Sequence, residues 1–410
     1  MATYPLTRVI RFSAFAGLCA AVLIGSASSA VAQRCPGAAG FNKWLQGFKQ
    51  EAIAEGISAR TVNSALKGVT YNPKVVAKDR AQGVFAQDFL TFQRRMANKN
   101  RLAAGKARLK RYAPVFKQVE QQYGVPGPVL VAFWGLETDY GAFMGKMDSI
   151  RALATLSYDC RRPEKFRPQL MDALRVLDRG DLRRNQMIGP THGEVGQFQF
   201  QPSTYFNYAV DYDGDGRRDL VKSVPDSLAS AANYLAAKGW QPGQPWLEEV
   251  IVPNNLPWDQ ADVTIQRPRL FWSQYGVKYR NGQPVPADAT PAALLLPMGR
   301  NGPAFLAYPN FVNIYLDWNH SLVYSTTAGY FATRLAGAPP LRAGNPEPFG
   351  AADSKQMQRL LQQRGYDVGK VDGVIGALTR KAIREMQLQY GLPADGYPSH
   401  ALLRKLQAGG

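Results

Sequence analysis

The chain has 410 residues, 49 lysines and arginines against 31 acidic residues, and a formal charge of +18. That length is ample for one large hydrophobic core and a small module besides. With three cysteines and three histidines in all, and no cluster of them, a cysteine- or histidine-based metal centre is excluded.

In chain order, the N-terminus comes first. Arg8 and Arg11 precede an apolar stretch from Phe12 to about Ile24, and small residues then lead to Ala30-Val31-Ala32 before Gln33. This charged, apolar, small-x-small order predicts a cleavable signal peptide over residues 1–32, too short to remain as a membrane anchor. The two arginines are not adjacent, which argues against twin-arginine export. Neither Cys19 nor Cys35 has a lipoprotein-type context. The expected product is an exported protein with no stable membrane anchor, cleaved near Ala32. Export argues against nucleic acid as the partner of so basic a chain. Cleavage removes two arginines, leaving +16, and leaves two cysteines, Cys35 and Cys160. A pair in an oxidising compartment predicts a disulfide.

From Gly40 to about Leu335 the pattern is mainly helical. Phe41, Trp44, Leu45, Phe48 and Ala52 recur at three-and-four spacing, an amphipathic helix that ends near Gly56. Tyr123-Gly124-Val125-Pro126-Gly127-Pro128 starts the next informative helix, since proline suits a first turn. Val129, Val131, Ala132, Phe133, Trp134 and Leu136 make it apolar almost all round, so it should be buried. Glu137 stands at its downstream end. Desolvation there favours the neutral carboxyl and raises its pKa, the property a general acid needs near neutral pH. A helix-end glutamate with a satisfied hydrogen bond is the alternative. Asp139 is a poor second carboxylate, because two residues along a helix point to nearly opposite sides.

Downstream, Gly193-Glu194-Val195-Gly196-Gln197-Phe198-Gln199-Phe200-Gln201-Pro202-Ser203 reads as a loop, with Glu194 facing a cleft. Asp211-Tyr212-Asp213-Gly214-Asp215-Gly216-Arg217-Arg218-Asp219 follows the first nine positions of an EF-hand calcium loop, with glycine sixth. Lys222 stands where the bidentate glutamate belongs, and Asp226 can supply the missing carboxylate. A structural calcium is therefore possible, with a solvated acidic turn as the alternative. Asp226 to Lys238 is an alanine-rich helix closed by Gly239. Ala292–Met298 and Ala304–Tyr308, around Gly299-Arg300-Asn301-Gly302, predict two short strands and hence a small sheet within the helical domain. Residues 339–351 form a proline- and glycine-rich linker. A three-helix module follows over 352–410, with Met357, Leu360 and Leu361, then Ala382, Ile383 and Met386, then Leu402, Leu403 and Leu406 facing inward.

Four blocks together resemble the lytic murein transglycosylases, most of all the membrane-bound lytic transglycosylase B family, glycoside hydrolase family 103. These are the Glu137 block, the Gln199-Phe200 block, the aspartate-rich loop, and Pro309-Asn310-Phe311 with Trp318-Asn319-His320-Ser321 and Tyr324. The Gly365-Tyr366, Val371-Asp372-Gly373, Thr379-Arg380 and Asp395-Gly396 series resembles the peptidoglycan-binding type 1 domain. The chain departs from the family's usual Gly-Ala-Met-Gly at Gly193–Gly196.

The resemblance implies a mainly α fold: a lysozyme-like helical catalytic domain over 33–338 with a small β insertion, then the small helical domain. It implies cleavage of the bond between N-acetylmuramic acid and N-acetylglucosamine in peptidoglycan, leaving 1,6-anhydro ends, in the periplasm and with no cofactor in the chemistry. Glu137 is then the single acid/base. Gln199, Phe200, Glu194, Trp318, Asn319 and Tyr324 line the substrate cleft, and Asp211, Asp213, Asp215, Arg217, Asp219 and Asp226 surround the ion. Peptidoglycan glycan strands are the expected partner, and their carboxylate-bearing peptides would attract a basic protein. Alternatives are a muramidase that cuts the same bond with water, using Glu194, and a non-catalytic wall-binding protein.

Overall fold

The computed structural model describes residues 37–81 and 87–409. The predicted signal peptide and Cys35 lie outside the described residues. Among those residues no helix is long and apolar enough to cross a membrane.

The first helix, Phe41–Ala54, buries Phe41, Leu45, Phe48 and Ala52, the predicted face. At the centre lies Gly127–Thr138, begun at Pro126 with proline in its first turn. Every residue of this helix is buried except Pro128 and Glu137. Leu322–Leu335 packs along it. Where Tyr140 folds back over the helix end, a Cβ on Gly135 would lie 2.9 Å from its ring, so only glycine fits.

The β insertion is larger than the predicted hairpin. Five antiparallel strands lie in the order Gln266–Pro268, Pro291–Leu295, Ala304–Ala307, Leu247–Ile251, Lys278–Tyr279. The central pair explains why its sequence reads as an unbroken apolar run. Ala293, Leu295, Phe305 and Ala307 join the main helical core. Ala292, Leu294, Ala304 and Leu306 enter a second core with Trp272, Val277 and Tyr308. Successive side chains point to opposite faces, and both faces are covered.

The C-terminal module has helices Ala351–Gln363, Ala377–Gln389 and His400–Gln407 around Met357, Leu361, Ile383, Met386 and Leu402. Leu360 is only partly buried at its margin. Its two Asp-Gly turns are held alike: Gln358 Oε1 accepts from Gly373 N at 2.8 Å, and Gln387 Oε1 from Gly396 N at 2.8 Å. This module packs against the sheet insertion. Arg380 donates to the carbonyls of Leu296 (3.1 Å) and Pro297 (2.8 Å). Arg384 pairs with Asp262 at 2.5 Å, and Arg300 N donates to Asp395 Oδ2 at 2.9 Å. The connecting segment is also pinned, with Arg342 N on Glu249 Oε1 at 2.7 Å and Asn345 N on Asn301 O at 2.8 Å.

Arg380→Ala with Arg384→Ala removes donors from the carbonyls of Leu296, Pro297 and Ala261 and from the Asp262 carboxylate, at about 1–3 kcal/mol for each group left buried and unpaired. The double variant should show a larger radius of gyration by small-angle scattering with an unchanged helical circular dichroism spectrum. An unchanged radius would show that these contacts do not hold the module in place.

Candidate active site

Glu137 combines two conditions that seldom coincide. Its carboxyl retains some access to solvent, yet it is packed closely enough that desolvation, the dominant effect, raises its pKa. Two donors oppose that rise. The Tyr324 hydroxyl donates to Oε1, and Trp318 Nε1 donates to the same oxygen at 2.9 Å. The negative charge of Glu194 adds to the rise. Because both donors converge on Oε1, the other oxygen is left to exchange a proton.

The partners of Glu137 arrive from distant parts of the chain. Trp318 ends a segment that opens with a π-helical turn, Asn310–Tyr315, an irregularity frequent at functional sites. One face of its indole stacks on Phe133, with centroids 4.3 Å apart. Tyr324 stands in the first turn of Leu322–Leu335, whose N-cap, Ser321, accepts from Tyr324 N at 3.3 Å. Asn319 fixes the same corner by accepting from Ser321 N at 2.9 Å. Trp318 and Tyr324 are thus held against the carboxylate itself. Within the Pro309-Asn310-Phe311 block, Asn310 is buried and bonded to backbone at Gln241 and Gln244, a structural role.

The loop over 193–203 is tied to the end of the helix. Thr138 Oγ1 donates to Gln197 O at 2.7 Å, and Gln197 N donates to Leu220 O at 2.9 Å. The described residues contain three non-glycine positions with positive φ: Asp139 (50°), Tyr140 (63°) and Gln199 (52°). All three flank Glu137, and such strain concentrates at functional sites. Asp139 is occupied elsewhere, paired with Arg101 at 3.0 Å, in keeping with its exclusion as a second carboxylate. Gln199 Nε2 donates to Gly196 O at 2.9 Å and approaches Met144 O at 3.4 Å, so its amide nitrogen fixes the loop. Phe200 is 4 % exposed and packs on Trp318 and Tyr234, so its ring shapes the loop. Glu194 Oε1 accepts from Gln201 Nε2 at 3.0 Å. Behind it stand His192 and Asp79, two residues that sequence reading passed over. His192 carried the weak signal of being one of three histidines and next to the loop; Asp79, 113 positions away, carried none.

The aspartate-rich loop gathers carboxylates that fit a cation. Oxygens of Asp211, Asp213 and Asp226 lie within 4.8 Å of one another, and Gly216 takes a φ of 83° at the sixth position. Asp226 is buried, and that burial raises its pKa, a condition that a cation would relieve. The expected set narrows here. Asp219 turns its carboxylate to Val221 N, Lys222 N and Gln186 Nε2, and Asp215 is exposed outside the cluster. The Arg217 guanidinium donates to Asp181 O, which leaves only its backbone carbonyl for an ion.

Comparisons with known proteins follow the same lines. Residues 40–333 match the family model described as Transglycosylase SLT domain, and residues 350–406 that of a putative peptidoglycan binding domain. The chain is 30% identical over 288 residues to membrane-bound lytic murein transglycosylase B of Escherichia coli (strain K12), covering 68% of this chain and 76% of that protein. SltB3 from Pseudomonas aeruginosa, solved in complex with NAG-anhNAM-pentapeptide, superposes with a TM-score of 0.83 at 43% identity over 90% of this chain and 99% of its own. The Escherichia coli lytic transglycosylase SLT35, solved in complex with calcium, gives 0.61 at 26% identity, over 71% and 92% respectively.

Tyr324→Phe removes the larger of the two hydrogen bonds that stabilise the Glu137 carboxylate. The neutral acid is then favoured to higher pH, so the alkaline limb of the kcat/KM profile should move upward. The rate at the optimum should fall about tenfold or more for the lost positioning contact. A limb that stays, or moves to lower pH, would contradict the assignment of that bond.

Proposed function

This chain belongs to the SLT-domain transglycosylase family, and on that premise we propose how its residues carry out the reaction. The protein is a lytic murein transglycosylase, a peptidoglycan lyase. The observation that supports Glu137 as its acid/base is a half-open carboxyl on a buried helix, with two donors on one oxygen and none on the other.

In this reading Glu137 starts neutral. It gives its proton to the bridging oxygen as the bond from that oxygen to the anomeric carbon of N-acetylmuramic acid breaks. The carboxylate so formed, received by Trp318 and Tyr324, takes the proton of the muramic C6 hydroxyl, whose oxygen closes on the anomeric carbon. One bond breaks, one forms, the proton count is restored and no water enters. A single carboxylate suffices because the nucleophile is already tethered to the sugar, which replaces a bimolecular encounter with an intramolecular one. In this reading the sugars are met by Gln199, through its carbonyl oxygen, and by Asn319. The C-terminal module gives the enzyme a second hold on the wall.

The reaction needs no cofactor. Asp211, Asp213 and Asp226, with the Arg217 carbonyl, would hold a calcium ion whose charge offsets three crowded carboxylates and fixes the loop. Its role is structural. We place the mature enzyme in the periplasm, released by cleavage near Ala32. Cys160 is disulfide-bonded, and we assign Cys35 as its partner.

Glu137→Gln keeps the shape but cannot shuttle a proton, so turnover of purified murein should fall roughly a thousandfold or more with an unchanged melting temperature. Mass spectrometry of the wild-type digest should show products lighter by one water than hydrolysed muropeptides. Hydrolysed products would favour the muramidase reading, and appreciable turnover by the glutamine variant would remove Glu137 from its role.

Calcium binds only the native state in this reading, so it should raise the melting temperature by mass action. Asp211→Ala with Asp213→Ala should erase that rise. A melting temperature equal in chelator and in excess calcium would refute the site.

A further inference from the structure

The loop beside the helix end carries a carboxylate that the one-acid mechanism does not use. The surroundings of Glu194 are built to hold it. Its backbone is wedged: a Cβ on Gly189 would lie 1.8 Å from Glu194 O, and Ser149 Oγ donates to that oxygen at 3.4 Å. Oε1 accepts from Gln201 Nε2 at 3.0 Å and faces His192 Nδ1 at 3.8 Å. Oε2 is buried and meets no hydrogen-bond donor among the described residues. A buried carboxylate oxygen without a donor is costly, so a site that keeps one invites a donor from a ligand.

The support behind Glu194 is a chain of groups from three elements. His192 Nε2 lies 3.0 Å from Asp79 Oδ1, at the end of the helix Pro73–Arg80. Asp79 is 2 % exposed and paired with both Arg161 and Arg162, so it is an ionised acceptor that fixes Nε2–H. Phe166, on Pro163–Asp178, stacks on the imidazole at 5.9 Å. Burial first, then Arg162, Lys165 and Arg161, hold His192 neutral against the pull of Glu194. The ring, held by Asp79 and Phe166, packs beside the Glu194 carboxylate with Nδ1 3.8 Å from Oε1 and restricts its orientation.

We propose that Glu194 is a substrate-binding residue, its free Oε2 accepting an N–H or O–H of the sugar at the scissile bond, and that His192, anchored by Asp79, is its positioning residue. The proposal rests on the transglycosylase reading and adds a second, charged contact to the same cleft. The Glu194 charge also acts on Glu137 and helps to keep the general acid protonated until substrate arrives.

The test compares kcat and KM for wild type, Glu194→Gln, His192→Phe and the double variant on soluble murein glycan strands across pH. Glu194→Gln should lower kcat/KM about 10- to 100-fold, the scale of one hydrogen bond to a charged acceptor, chiefly through KM. Its alkaline limb should move to lower pH, since removing the charge lets Glu137 ionise sooner. His192→Phe keeps the stack on Phe166 and should reproduce part of the KM loss, and the double variant should be no worse than Glu194→Gln alone. Wild-type kcat/KM and an unmoved limb in Glu194→Gln would overturn the proposal. Additive losses in the double variant would overturn the role of His192. If His192→Phe fails to fold, the Glu194→Gln profile still decides the main claim. Hydrolysed products from wild type would count against the transglycosylase reading alone, because the Glu194 comparison is one of rate and pH whatever the product.

Discussion

Glu137 ends a helix in which only it and Pro128 escape burial, and that placement sets the terms for the whole site. A carboxyl on a flexible or well-hydrated segment would titrate near its ordinary value and be ionised at neutral pH. Surrounded by the main core it prefers to stay protonated, but full enclosure would bar the substrate. The structure resolves this by leaving the helix end at the surface of the core and by bringing polar partners to one oxygen only. Trp318 and Tyr324 lower the cost of the ionised form without cancelling the burial that raises it. A group that must give a proton and then take one needs both states within reach, and this balance keeps them so.

The local backbone carries the cost of that arrangement. Asp139, Tyr140 and Gln199 adopt left-handed conformations, at about 1–2 kcal/mol each for a non-glycine residue. Contacts around them hold the conformations in place. Tyr140 reaches Arg101 O at 2.7 Å, Asp139 pairs with Arg101, and Gln199 bonds Gly196 O. The aspartate-rich segment joins the same scaffold from the other side, since Leu220 accepts from Gln197 N and Thr138 holds Gln197 O. An ion that stiffens residues 211–226 would therefore stiffen the loop carrying Glu194 and Gln199 without touching a reacting bond.

What was legible in the sequence was what local spacing decides. The helix with Glu137 could be read because its start, its apolar circumference and its polar end lie within a dozen residues. Asp226 could be named beside Asp211 and Asp213 only through the family resembled, which carries a late aspartate there; loop spacing alone put Lys222 at the twelfth position. Two of the central strands, Pro291–Leu295 and Ala304–Ala307, could be read from short apolar runs on either side of a glycine-bearing turn. Leu247–Ile251 was harder, since Glu248 and Glu249 at its middle leave neither an apolar run nor a clean alternation. The edge strands are two or three residues long, below what periodicity can detect. At the site, Trp318 and Tyr324 were recognisable as cleft residues, but their shared target was not. They stand 181 and 187 positions from Glu137, and only tertiary packing decides that an indole N–H and a phenol meet one oxygen.

The packing of the C-terminal module bears on how a wall-binding domain assists a catalytic one. A module on a free linker raises the local concentration of substrate, and its effect is governed by linker length. Here Arg380 and Arg384 reach across to Leu296, Pro297 and Asp262, and the linker itself is bonded to Glu249 and Asn301. Leu296, Pro297 and Asn301 belong to the turn that joins two central strands, Glu249 to a third, and one face of these strands enters the core that surrounds the Glu137 helix. If the module binds the wall as proposed, it would present a glycan strand in a fixed orientation rather than merely nearby. Such an arrangement surrenders reach and gains orientation, which suits a reaction whose rate depends on holding a C6 hydroxyl, an anomeric carbon and one carboxyl in line.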